Sequence, residues 1–137
     1  MKREPGEYFL DDAFLSHSTH DEEFASELVC ALEIRNKMIW FAPHRIHLGD
    51  VIHIKVEQGL AVSRHLIILL SRRYLDSEWC RMEWACCQFN DPANRKRKII
   101  PVLLEPCDLP MRLHSLKNCD LSEGMTPDRV EEIARMI

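Results

Sequence analysis

Short, dense apolar runs alternate along the chain with longer polar stretches whose apolar residues recur at helical spacing. Residues 8–16 hold Tyr8-Phe9-Leu10 and Ala13-Phe14-Leu15; residues 38–41, 66–70 and 99–104 are further runs, each ending in polar or turn residues. Runs of this length and density predict buried strands. Between them, Phe24, Leu28, Ala31 and Leu32 mark one helix, Ile52, Val56 and Leu60 a second, and Met82, Cys86 and Phe89 a third. Val130, Ile133, Ala134 and Ile137 mark a fourth. Thr19 with Glu22 three residues later predicts a capping box at the first helix, and Asp50 and Ser77 predict N-caps for the next two.

Strands alternating with helices predict an α/β domain with a parallel sheet, because parallel neighbours need a crossover and a helix supplies it. Right-handed crossovers then give a flavodoxin-like, doubly wound, five-stranded parallel sheet with helices on both faces, its fifth strand a weak one over residues 116–121. Ligands of such sheets bind beyond the carboxyl ends of the strands. The segments to inspect are therefore 16–21, 42–50, 71–83 and 105–110. The basic run Arg95-Lys96-Arg97-Lys98 falls at the opposite edge and reads as a solvated loop.

Composition narrows the function. The 137 residues, 46% apolar, suit one globular domain over residues 1–137 whose core needs no metal or disulfide. A net charge of −4 argues against a nucleic-acid partner. The apolar runs are far shorter than the roughly 20 residues that cross a bilayer, so the expectation is a soluble protein with no membrane partner. Six cysteines form no Cys-x-x-Cys pair, and the start Met1-Lys2-Arg3-Glu4-Pro5 lacks a secretory apolar core, which predicts reduced thiols in the cytoplasm. His17 with His20 and His44 with His47 lack matching Cys or carboxylate spacing, so no metal site is expected. Glycines stand only at 6, 49, 59 and 124. Neither a Gly-x-Gly-x-x-Gly dinucleotide turn nor a phosphate-cradling loop can be built from them, and no serine lies in a Gly-x-Ser-x-Gly turn. A phospho-acceptor receiver needs an aspartate at the end of the third strand, where this chain reads Leu69-Leu70-Ser71.

What remains is concentrated in residues 71–83, Ser71-Arg72-Arg73-Tyr74-Leu75-Asp76-Ser77-Glu78-Trp79-Cys80-Arg81-Met82-Glu83. Trp79 and Glu83 are four apart at the start of the expected third helix, which stacks indole and carboxylate on one face at the ligand edge. The alternative makes Trp79 a packing anchor and Glu83 a solvated acid near the positive end of the helix dipole. Trp84 points about 100° further round, toward the sheet.

These residues resemble a TIR (Toll/interleukin-1 receptor/resistance) domain over nearly the whole chain. Asp12-Ala13-Phe14-Leu15-Ser16-His17-Ser18 is similar to the family's first strand and the loop leaving it. Phe41, Leu48-Gly49-Asp50, Gly59-Leu60 and Ser63 follow its second strand, BB loop and second helix. Residues 66–71 followed by Trp79-x-x-x-Glu83 match the third strand and catalytic helix of its NAD-cleaving branch, most like bacterial and plant members.

The resemblance implies an NAD glycohydrolase of immune signalling or defence, with NAD as substrate and no cofactor. It makes Glu83 the catalytic carboxylate and puts Trp79 in the pocket, where its aromatic face suits stacking on a base or on the positively charged nicotinamide ring. By position Ser16, His17, Ser18 and Ser71 line the same cleft, although Ser18 serves equally as a helix cap and Ser71 as a strand end. The BB loop at 42–50, with Pro43, His44, Arg45, Gly49 and Asp50, is implied to complete a neighbour's site through self-association, its alternative being an exposed strand-to-helix connection. Some NAD-cleaving relatives carry an aromatic residue two positions after the fourth-strand proline, where Pro101-Val102-Leu103 leaves hydrolysis and cyclisation both open. The length suits one such domain, so a sensor is expected on an attached region or a separate partner. The rival expectation is a non-enzymatic adaptor acting by TIR–TIR binding, which has no need of a carboxylate at Glu83.

Overall fold

The first strand, β1 (Asp11–Ser16), and the third, β3 (Ser63–Leu70), form the centre of the sheet, and their side chains alternate between two separate apolar layers. In the computed structural model, which describes residues 9–77 and 98–137, β2 (Ile39–Trp40), β4 (Ile99–Leu103) and β5 (Cys119–Asp120) complete a five-stranded parallel sheet in the order β2-β1-β3-β4-β5. This is the flavodoxin-like order expected from the alternation of runs.

One layer receives Ala13, Leu15, Ile67, Leu69 and Val102 from the sheet. It is covered by α1 (Glu22–Ile34), through Ala25, Leu28, Val29 and Leu32, and by the C-terminal helix, through Val130, Ile133 and Ala134. The other layer receives Phe14, Leu66, Ile68, Leu70 and Ile99, covered by Val56, Tyr74 and Leu113. These three belong to α3 (Ile52–Val62), α4 (Arg72–Asp76) and α5 (Met111–His114), with α2 (Ala42–Arg45) preceding them and α6 (Pro127–Met136) following. Helices thus cover both faces.

α3 lies close to the sheet because Gly59 presents no side chain. A Cβ there would approach the Trp40 indole to 2.5 Å, while that indole stacks on Phe14 at 4.5 Å.

Two local expectations need correction, and a third falls partly outside the described residues. No Thr19–Glu22 capping box forms; Ser18 caps a 3-10 turn, Thr19–Asp21, by accepting from the His20 N–H, and α1 follows with Asp21 at its N-cap and no side-chain bond. Asp50 does not cap α3, whose N-cap is Val51; its carboxylate instead accepts from the His47 N–H at 2.8 Å, closing the turn before the helix. Ser77 closes α4 by donating its N–H to the Tyr74 carbonyl. The helix expected after it, with Trp79, Glu83 and Trp84, lies outside the described residues, as do Cys80, Cys86, Cys87 and the 95–97 part of the basic run.

Among the described residues no helix is long and apolar enough to cross a membrane. Cys30, Cys107 and Cys119 are free thiols.

Candidate functional site

At the carboxyl edge of the sheet, the chain leaving β1 faces the segment leaving β2 across a cleft of about 340 Å³. Phe14, Ser16, His17, Thr19 and Glu22 border it on one side; Ala42, Pro43, Ile46, Ile52 and Val56 border it on the other. The lining thus combines apolar side chains, Phe14 and Leu15 among them, with an imidazole, hydroxyls and a carboxylate, the mixture that holds a small polar ligand.

His17 is the most enclosed of the ionisable groups in this wall. Its side chain is 7% exposed, its ring centroid lies 5.1 Å from that of Phe41, and Nε2 is 4.0 Å from Glu22 Oε1. Burial pushes its pKa below the ordinary 6.5, outweighing the backbone hydrogen bond at Leu15 and the negative charges of Glu22 and Asp21, which push it up. Burial thus favours the uncharged ring at the cleft.

The three serines expected at the site are buried and engaged. Ser16 Oγ shares a 2.8 Å hydrogen bond with the Tyr74 hydroxyl. Ser18 Oγ accepts from the His20 N–H. Ser71 Oγ donates to Asp21 Oδ2 at 2.6 Å while accepting from the Tyr74 N–H at 3.1 Å, which caps α4. Glu105, from the loop after β4, accepts from the Arg72 N–H at 2.9 Å and ties a third strand end to the same turn.

Segment 42–50 divides into a pinned part and an exposed part. Pro43 opens the one-turn helix α2 and borders the cleft. His44 is exposed and meets the Phe41 ring edge-on at 5.0 Å. Arg45 reaches back to the head of β1, where Nη2 lies 2.7 Å from Asp11 Oδ1 and Nη1 3.2 Å from Oδ2. Beyond it, Gly49 at φ +90° lets residues 47–50 turn back on themselves, with Asp50 closing the turn and Leu48 fully exposed at its tip.

The structure thus brings Ser16, His17 and Pro43 to one cleft, while Ser18 and Ser71 are buried and do not border it. Sequence reasoning did not single out Asp11, Asp21, Glu22 or Tyr74 as functional. A signal existed for Asp11, a charge at the start of a strand whose next inward neighbours are Ala13 and Leu15. Tyr74 had none, being one aromatic residue on a helix too short to show a period.

A family model described as TIR domain matches residues 13–137. The NAD(+) hydrolase TcpA of Theionarchaea archaeon is 36% identical over 76 residues, 55% of this chain and 23% of that protein. The probable 2' cyclic ADP-D-ribose synthase TcpB of Brucella melitensis is 35% identical over 69 residues, 50% of this chain and 28% of that protein. The chain spans about a quarter of the length of these curated relatives. Toll-like receptor 7 of Drosophila melanogaster is 33% identical over 99 residues, 71% of this chain and 7% of the receptor. In fold, a metazoan TIR-STING receptor from C. gigas superimposes with a TM-score of 0.78 at 21% identity, covering 99% of this chain and 42% of that one.

Proposed function

Because the chain belongs to the TIR domain family, we propose that it is an NAD-cleaving member, breaking the bond between nicotinamide and ribose in immune signalling or defence. The observation that carries this reading is the cleft at the carboxyl edge, which borders His17 and Ser16 on one wall and Pro43 on the other. The sequence from α4 runs on to Trp79 and Glu83. Relatives named as an NAD(+) hydrolase and a 2' cyclic ADP-D-ribose synthase support it over half of the chain.

NAD is the substrate, and one carboxylate suffices for the chemistry. An O-glycoside needs a second carboxyl group to protonate its leaving oxygen. Nicotinamide leaves a pyridinium instead, taking the bonding electron pair onto its ring nitrogen and departing neutral. The positive charge develops on the ribose, where the Glu83 carboxylate stabilises it. Trp79 supplies the ring face for stacking. Water completing the reaction gives hydrolysis; a second nucleophilic atom of the same molecule gives a cyclic product, and Leu103 supplies no aromatic face that would select between them.

Residues 1–137 are read as one TIR domain working in the cytoplasm, assembled with other copies through segment 42–50 and controlled by an attached or separate sensor. Leu48 supports assembly, since a fully exposed leucine at a turn tip is suited to burial by a partner. That same leucine, with Val51 and Ile52 exposed beside it, favours the second reading, a non-enzymatic module that binds other TIR domains.

The test is nicotinamide release from NAD at high protein concentration, with and without a crowding agent, for the wild type and Glu83→Ala. Release by the wild type alone is expected. Equal rates in both sink the role of Glu83, and silence from both even when assembled leaves the interaction module.

A further inference from the structure

We propose that Tyr74 is a positioning residue of the cleft, whose phenol, together with the Asp21–Ser71 hydrogen bond, braces the loop carrying His17 against the turn that leaves β3. This rests on the reading of the cleft as the NAD site and deepens it.

β1 and β3 are paired up to Ser16 and Ile68; β1 ends there, while β3 runs on beside β4 to Leu70 before its own turn. The loop leaving β1 is then tied at both ends to a single one-turn helix. Its first residue, Ser16, bonds the Tyr74 hydroxyl at 2.8 Å, and Asp21, at the start of α1, accepts from Ser71 at 2.6 Å. Ser71 and Tyr74 are themselves joined by the capping bond at 3.1 Å, so the two ties act on one rigid turn. His17 lies between the tied points. Its ring packs against Phe41, which His44 meets edge-on, and it feels the charges of Asp21, at the end of its loop, and of Glu22, the first residue of α1.

Ser16, Tyr74 and Ser71 are at most 1% exposed. Buried hydroxyls joined across two chain segments hold geometry better than they meet ligand. Ser71, which does not border the cleft, is thereby reassigned from contacting substrate to holding the wall; Ser16 borders the cleft beside His17, Thr19 and Glu22, with its hydroxyl engaged by Tyr74.

Tyr74→Phe removes the hydroxyl and keeps the ring. Two readouts are followed in the full chain: the KM and kcat for NAD under assembling conditions, and the titration of His17 by NMR. KM is expected to rise about fivefold, the equivalent of one neutral hydrogen bond, with kcat within about twofold. The His17 pKa is expected to move up toward its ordinary value as water reaches the ring. Ser16→Ala removes the same bond from the other side and is expected to reproduce both changes; combining the two substitutions adds nothing further. If Tyr74→Phe lowers only the melting temperature, with KM and the His17 titration unmoved, the brace is structural and the proposal is overturned. If the wild type releases no nicotinamide and the His17 titration still shifts, the brace stands and the NAD reading falls.

Discussion

Replacing Arg45 by methionine isolates what holds segment 42–50 in place. Asp11 is 1% exposed in its side chain and receives both terminal nitrogens of Arg45, which is itself 37% exposed. Removing one partner of a fully buried ion pair costs about 3–5 kcal/mol, because the charge left behind keeps its desolvation penalty and loses its attraction. Arg45 is more than a third exposed, so solvent screens part of the pair and the expected loss falls to about 2–3 kcal/mol. In a domain of this length that is a drop of roughly 6–15 °C in Tm. Asp11→Leu with Arg45→Met removes both charges, and replacing a buried pair by apolar residues is near neutral, so the double variant should recover most of the loss. Chemical denaturation of the four proteins measures the coupling, and hydrogen exchange at residues 42–50 shows whether the segment loosens in Arg45→Met alone. A loss under about 0.5 kcal/mol, or a double variant that costs the sum of the singles, would refute the claim that this pair pins the cleft wall.

Two further outcomes follow from the same geometry. The depressed pKa of His17 means that below the ordinary value of 6.5 the unfolded chain takes up a proton that the folded chain resists. Its contribution is therefore fully present above that pH and is lost as pH falls below it, so the Tm difference between pH 7 and pH 5 should be larger in the wild type than in His17→Asn; equal differences would show that burial does not govern this imidazole. Gly59→Ala drives a methyl to 2.5 Å from the Trp40 indole, which is stacked on Phe14 and cannot yield freely. Thermal unfolding should register about 1–3 kcal/mol of destabilisation, and an unchanged Tm would mean that α3 shifts without cost.

The sheet was legible because its signal is collective. β1, β3 and β4 read as dense apolar runs, since both of their faces are covered, by α1 and α6 on one side and by α3, α4 and α5 on the other. Strand ends were less so. β3 begins at Ser63, three residues before its apolar run, because Asp11 of β1 pairs with Ser63; Arg64 and the buried His65 broke the pattern that would have announced it. β5 shrinks to Cys119–Asp120 for the opposite reason, having one neighbour and one buried side chain. α2, α4 and α5 are single turns, too short for periodicity to register, and were invisible as helices.

The site was legible as an edge and much less as a set of contacts. Topology alone sends the loops after β1, β2 and β3 to one end, and the cleft is there. Which hydroxyls face a ligand depends on distances between residues far apart in sequence, such as the 58 positions separating Ser16 from Tyr74 and the 50 separating Asp21 from Ser71. A serine at a strand end looks the same in the sequence whether it binds substrate or braces the wall. The same holds for Arg45, a basic residue in an expected assembly loop that turns inward to Asp11. With Arg45 held by Asp11, the side chains of segment 42–50 that remain exposed are Pro43, His44, His47 and Leu48. A partner binding these can move Pro43 and Ile46, which flank Arg45 and border the cleft. If copies assemble through this segment as proposed, contacts at its exposed tip would reach the cleft wall through the backbone that Arg45 holds to Asp11.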